Sequence, residues 1–246
     1  MHLPVVFPVV RGTASMNWIR SSAVLACVLL ATSCVQKWDE SQRAALSSVA
    51  VPSPVIAGDA YQPPVGKMPT GPTPIIVVPG GNAGAAAVGN GLGQLVVEGI
   101  GAAQQAMYNK AHADAISRAP GTVPGDLSER IRKSVAKELS SNSFFKGKVR
   151  DGSPNRMVVN VTSYGYVRVA KVDGNILMAP QIHGSFELMD SNGKSILKQP
   201  LVGLAALQGH TLEDFANNRK LASDAFDVAI QNMATMISAA VDQKAG

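Results

Sequence analysis

Between residues 157 and 206 the chain alternates apolar and polar side chains with a period of two, and tight-turn pairs interrupt the alternation twice. Met157, Val159, Val161, Val167 and Val169 are apolar, while Asn160, Thr162, Tyr164, Tyr166 and Arg168 stand between them. Successive side chains of a strand point to opposite faces, so this register predicts a strand with one face buried. Asp173-Gly174 supplies turn chemistry, and beyond it Ile182, Gly184, Phe186 and Leu188 alternate with His183, Ser185 and Glu187. Asn192-Gly193 is a second turn pair and leads into an apolar run over 196–206. The reading is a three-stranded antiparallel meander, and a sheet with one apolar face needs a covering layer.

Two helical patterns supply that layer. Asp126, with Glu129 three residues on, opens a helix whose Leu127, Ile131, Val135 and Leu139 recur every four residues on one face. Thr211, with Asp214 three residues on, opens another, striped by Phe215, Ala222, Phe226, Ala229, Met233, Ile237 and Ala240. Residues 45–51 end in apolar and β-branched residues stopped by Pro52 and Pro54, which reads as an early strand. The expected fold class is α+β: a two-layer domain in which an antiparallel sheet, the meander plus the early strand, packs against helices.

The stretch between early strand and first helix has a different composition. Residues 52–81 hold eight prolines, a density that excludes regular structure except at Ile75-Ile76-Val77-Val78. Glycine and alanine then dominate to residue 106. An apolar run followed by glycines suggests a dinucleotide loop, but every G-x-G-x-x-G register fails: Gly89 and Gly91 lead to Gln94, and Gly99 and Gly101 lead to Gln104. A glycine-loosened surface helix continuing to Ser117 is the preferred reading, with a peripheral membrane contact left open for the part near 89–117. The 52–103 stretch is accordingly expected to be an extended excursion within a single domain spanning 45–246.

At the other end, Met16-Asn17-Trp18-Ile19-Arg20 precedes an apolar run without charge that ends at Leu30-Ala31-Thr32-Ser33-Cys34. The run is shorter than the ~20 apolar residues of a membrane span and has the length of a signal peptide. Starting at Met16 rather than Met1 gives a compact basic leader with Arg20 as its charge. The motif resembles the lipobox of bacterial lipoproteins, with Leu30 one place further from the cysteine than is usual. That resemblance implies a signal peptide over 1–33, a lipid-bearing Cys34, a short tether over 34–44, and a membrane held through acyl chains. Val35, not Asp, follows the cysteine, which by the same resemblance implies the outer membrane, facing the periplasm. The competing reading is an ordinary signal peptide cut near Ala31 or Ser33. The element order of 45–243 is similar to small α/β domains of envelope lipoproteins, such as auxiliary lipoproteins of lipid-transport ABC systems and the TolB amino-terminal domain; no functional residue is carried across.

Charge and site residues narrow the function classes. The formal charge is +5; with Arg11 and Arg20 in the leader, 20 basic residues remain against 17 acidic, or +3. That is too mild for a nucleic-acid partner. Cys27 and Cys34 both belong to the leader region, so no disulfide or cysteine metal site follows. His112, His183 and His210 are too dispersed for metal ligation, no G-x-S-x-G elbow occurs, and Gly193-Lys194-Ser195 lacks the upstream P-loop glycine. No cofactor, metal or catalytic residue is expected. Positive charge concentrates at Arg130, Arg132, Lys133, Lys137, Lys146, Lys148, Arg150 and Arg156, a surface for anionic lipid, lipopolysaccharide or an acidic partner if not simply a solvated face. Tyr164 and Tyr166, on the strand's polar face, are candidate partner contacts, or else lie under the glycine-rich helix. The expected function is a non-enzymatic envelope adaptor or assembly accessory with an envelope protein partner; the alternative is a periplasmic carrier of lipid or glycan.

Overall fold

The computed structural model describes residues 37–64 and 102–246. The leader, Cys34, the run at 75–78 and the glycine-rich stretch as far as residue 101 lie outside the described residues. In chain order the elements are α1 (Glu40–Ala45), β1 (Val55–Ile56), β2 (Tyr61–Gln62), α2 (Ala102–Ala111), α3 (Ala113–Arg118), a 3-10 turn (Ala119–Thr122) and α4 (Leu127–Ser141). There follow β3 (Arg156–Val172), β4 (Asn175–Met189), β5 (Ser195–Leu204), a second 3-10 turn (Ala206–Gln208), α5 (Leu212–Asn217) and α6 (Arg219–Ala245).

The meander forms as the alternation predicts. β3 and β4 pair antiparallel from Arg156↔Met189 to Val172↔Asn175, and β4 pairs with β5 from Met189↔Ser195 to Gln181↔Leu204. Helices cover one face, so the domain is a two-layer α+β fold. The sheet is mixed rather than purely antiparallel: β1 and β2 lie parallel to β3, with Val55 opposite Asn160 and Tyr61 opposite Tyr164.

The early strand is displaced from 45–51. Asp39 accepts from the Gln42 backbone N–H while the Gln42 side chain accepts from the Asp39 N–H, and this capping box starts a helix where a polar tether was expected. Ala45 therefore ends α1, and Val49 and Ala50 make only single bridges, to Val149 and Arg156. Pairing resumes beyond Pro52 and Pro54, along an outer edge of the sheet where a missing N–H is tolerated. Residues 52–64 are thus part of the sheet's border rather than of an excursion, and Trp38 and Leu46 are already core.

β3 changes face within its length. Val161 stands opposite Gly184 but Ser163 stands opposite His183, so Thr162 is an extra residue, a β-bulge. Before it the odd-numbered Met157, Val159 and Val161 are buried; after it the even-numbered Tyr166 is buried and Val167 is not. The partner strand has no room for a side chain here, since a Cβ on Gly184 would run into the Asn160 carbonyl oxygen.

The covering helices follow the predicted stripes. Leu127, Ile131, Val135 and Leu139 of α4 are buried, as are Ala222, Phe226, Ala229, Met233, Ile237 and Ala240 of α6. α6 lies on β4 and β5, and α4 packs along α6. Gly203 lets α6 approach β5 closely, because a Cβ there would meet the Ala229 carbonyl oxygen. Two terminal details differ from expectation. Asp126 does not cap α4; its carboxylate accepts instead from Arg130 Nε at 2.7 Å. The last helix is two, because Asn218 leaves helical geometry at φ −131° and its side chain caps α6 by accepting from the Leu221 N–H.

Candidate functional site

The N-terminal edge of the folded domain is a corner built from several segments. Trp38 N–H donates to the Lys244 carbonyl at 2.9 Å, next to the C-terminus of α6. Its indole lies 5.3 Å from the Phe144 ring, and Phe144 in turn meets Phe145 edge-on at 4.9 Å. Lys148 places its ammonium 4.1 Å from the Phe144 centroid, a cation–π contact. Buried asparagines fix the backbone beneath. Asn142 Nδ2 donates to the Ser238 carbonyl and hydroxyl at 3.1 and 2.9 Å, while Asn142 Oδ1 accepts from the Phe144 and Phe145 N–H groups. That side chain ends α4 and turns the chain into the loop over 142–155. Asn155 Nδ2 donates to the Ala45 and Ser48 carbonyls at 3.0 and 2.8 Å, and Val49 N–H donates to the Lys148 carbonyl. Loop and N-terminal segment are therefore one ordered piece.

The corner divides the basic residues predicted from sequence. Arg130 donates to Asp126, to Asp227 at 3.0 Å and to Ser223, and the bond to Asp227 is the chief reason its guanidinium is held more firmly protonated than usual. Arg132 makes two bonds of 2.8 Å to Glu129, and Lys133 stands 3.4 Å from the same carboxylate. Glu129 is pulled down to about 2, mainly by the Arg132 hydrogen bond. These three cations are neutralised within the protein. Lys137, Lys146 and Arg150 are exposed and Lys148 is half-buried; among the described residues none of the four forms an ion pair. Arg156, the eighth, is exposed at the start of β3, and the cluster is thus divided, with Lys146, Lys148 and Arg150 gathered on the loop that leads from Phe144.

The two candidate tyrosines are not free surface. Tyr166 is 2% exposed, its hydroxyl 2.6 Å from Thr122 Oγ1 and its ring 5.0 Å from Phe215 and 5.6 Å from Phe226. Burial pushes its hydroxyl up to about 12. Tyr164 is half-buried and meets Tyr61 edge-on at 5.9 Å. The bulge at Thr162 turns both rings to the helix side, so what covers Tyr166 is α5 and α6.

The remaining polar candidates stay apart. His112 pairs with Glu213 and stacks on Tyr108 at 4.2 Å, His210 lies edge-on to Phe215, and half-buried His183 is held below the usual imidazole range by desolvation. Among the described residues no three His, Cys, Asp or Glu side chains gather at metal-ligand spacing. Gly193-Lys194-Ser195 lies at the β4–β5 turn, where Asp190 Oδ1 accepts from the Asn192 and Lys194 N–H groups. Trp38, Phe144, Asn142 and Asn155 were missed by sequence reasoning. The capping pair Asp39 and Gln42 was the legible sign that folded structure begins before residue 45.

No protein-family model matches this chain, and no curated protein matches it. Among solved structures, the crystal structure of protein XCC0632 from Xanthomonas campestris, of the family model DUF330, matches with a TM-score of 0.39 and 13% identity, over 78% of this chain and 81% of that one. Among the described residues no helix is long and apolar enough to cross a membrane.

Proposed function

We propose that the protein is a lipid-anchored component of the cell envelope, held at the outer membrane through acyl chains on Cys34 and serving as a non-enzymatic adaptor for an envelope protein partner. The observation that carries this reading is the position of Trp38. Among the described residues it is the first core side chain, and it follows the lipobox-like cysteine by only four residues. An acyl chain contributes about 0.8 kcal/mol per buried CH₂, and more than one chain is needed for stable anchorage, as the lipoprotein pattern supplies. The domain would then be kept against the bilayer.

The test is the mass of the N-terminal peptide from protein extracted with detergent. The expected result is a peptide beginning at Cys34 with a glyceride and acyl increment, and release of the Cys34→Ser chain into the soluble fraction. A peptide carrying an unmodified Cys34 thiol, cut near Ala31 or Ser33, overturns the reading.

A further inference from the structure

We propose that the loop bearing Lys146, Lys148 and Arg150 binds anionic lipid headgroups of the leaflet that holds the anchor, and so fixes which end of the domain faces the bilayer. The proposal rests on the lipid-anchored reading above for its geometry. Four residues of fully extended chain reach about 14 Å, so an acylated Cys34 keeps Trp38 within that distance of the headgroups. Trp38 packs at a tilt against Phe144, and Phe144 carries Lys148. Lys148 N–H donates to the Phe145 carbonyl at 2.8 Å across a tight turn in which Gly147 adopts φ 73°, a conformation that favours glycine. That turn presents Lys146 and Lys148 from the same short loop, with exposed Arg150 two residues on.

Asp242 accepts from Ser143 Oγ at 2.8 Å and Glu138 accepts from Gln231 Nε2 at 2.9 Å; these donors are neutral and both carboxylates keep their charge, but among the described residues neither forms an ion pair with Lys146, Lys148 or Arg150. Within the loop over 142–155 itself, Asp151 is the one acidic residue against three cations. Each Lys or Arg near an anionic surface adds about 1 kcal/mol, or roughly fivefold in partition, and the attraction fades within a Debye length of about 10 Å at 0.1 M salt. Proximity to the leaflet is therefore the condition that makes this loop effective, and the chain length supplies it.

The consequence is an orientation. The loop adjoins the start of β3, since Val49 bridges Val149 and Ala50 bridges Arg156. β3 runs 17 residues to Val172, about 50 Å along the strand. With the loop on the headgroups, the Asp173-Gly174 turn is carried to the far end of the domain.

The experiment uses the mature chain with Cys34→Ser, so that the patch is read without the anchor, in co-sedimentation with phosphatidylcholine vesicles with and without about one-third phosphatidylglycerol. The expected result is at least about tenfold tighter partition onto the anionic vesicles at low salt, abolished by K146Q/K148Q/R150Q. The double variant K146Q/R150Q leaves the Lys148 contact with Phe144 intact and is expected to lose most of the preference while melting like the parent. Equal partition onto both vesicles overturns the proposal, as does a preference that survives the double and triple variants. Binding to soluble polyphosphate with the same variant pattern but no vesicle preference also overturns it, in favour of a free phosphate ligand. Failure of acylation at Cys34 is read separately, from the peptide mass, and leaves this vesicle result standing on its own.

Discussion

Replacing Trp38 with alanine tests whether the fold begins where the corner says it does. Trp38 is 5% exposed and is packed against Phe144. Truncating a buried aromatic to alanine costs about 3–5 kcal/mol. One feature of the site lowers that figure: among the described residues the buried Trp38 Nε1 has no hydrogen-bond partner, and removing an unpaired buried donor recovers about 1–3 kcal/mol. The net expectation for Trp38→Ala, the midpoint of the first range less that of the second, is a loss of about 2 kcal/mol. Trp38→Phe keeps a ring against Phe144 while dropping the unpaired N–H, so it is expected to fall within about 1 kcal/mol of the parent. The assay is urea unfolding followed by far-ultraviolet circular dichroism, because Trp38 is one of only two tryptophans and its removal would itself change a fluorescence signal. A change of the midpoint at unchanged slope reports stability alone. If Trp38→Ala unfolds within about 0.5 kcal/mol of the parent, residues before 46 are not part of the cooperative unit and the short link to Cys34 loses its meaning.

Three further outcomes are expected. Gly203→Ala puts a Cβ against the Ala229 carbonyl oxygen and should cost about 1–3 kcal/mol by forcing α6 off β5, read as a lowered melting temperature; an unchanged one refutes the close approach. Burial raises Tyr108 and Tyr166 to about 12 and raises Tyr61 as well. Their protonated forms are favoured in the folded state, so this contribution is complete below the ordinary phenol value near 10 and is lost as pH rises through about 12. Absorbance at the phenolate band should therefore lag in the folded protein and jump on alkaline unfolding, and three tyrosines titrating normally would contradict it. Arg132→Gln should let the Glu129 carboxyl return from about 2 toward its usual range, seen in a carboxyl carbon shift titration by NMR, whereas a titration midpoint that stays put would mean the pair does not set it.

What the sequence reveals about this fold depends on how local each determinant is. The turn pairs Asp173-Gly174 and Asn192-Gly193 and the four-residue spacing in α4 are read from neighbours in the chain, and they place the meander and its helical cover correctly. The bulge at Thr162 is not local. It exists because β3 and β4 shift register by one residue, and a period-two pattern carries no mark at the residue where its phase changes. Val167 and Val169 continue the odd-numbered pattern and so assign Tyr164 and Tyr166 to the wrong face. The parallel pairing of β1 and β2 is likewise decided by residues a hundred positions away, at Asn160 and Tyr164. The pairing of Arg132 and Lys133 with Glu129 is local, at three- and four-residue spacing, whereas the Asp227 and Ser223 that reach Arg130 from a different helix leave no mark in its neighbourhood in the chain.

The corner also decides how a load applied at the N-terminus would enter the domain. A chain that started with an edge strand would pass tension into the sheet border, where β1 and β2 have only two residues each. Here Trp38 N–H is tied to the carbonyl of Lys244, at the end of α6, and its ring packs against Phe144, just past the end of α4. Asn142 joins those two helix ends through Ser238. Tension from Cys34 would thus be met first by the helical layer, whose cores over α4 and α6 are fully buried, before it could peel Val49 or Ala50 from their single bridges. A load entering at Trp38 is thus resisted through the packed layer of α4 and α6 rather than through the two-residue edge strands, and Trp38→Ala removes the side chain that makes this connection.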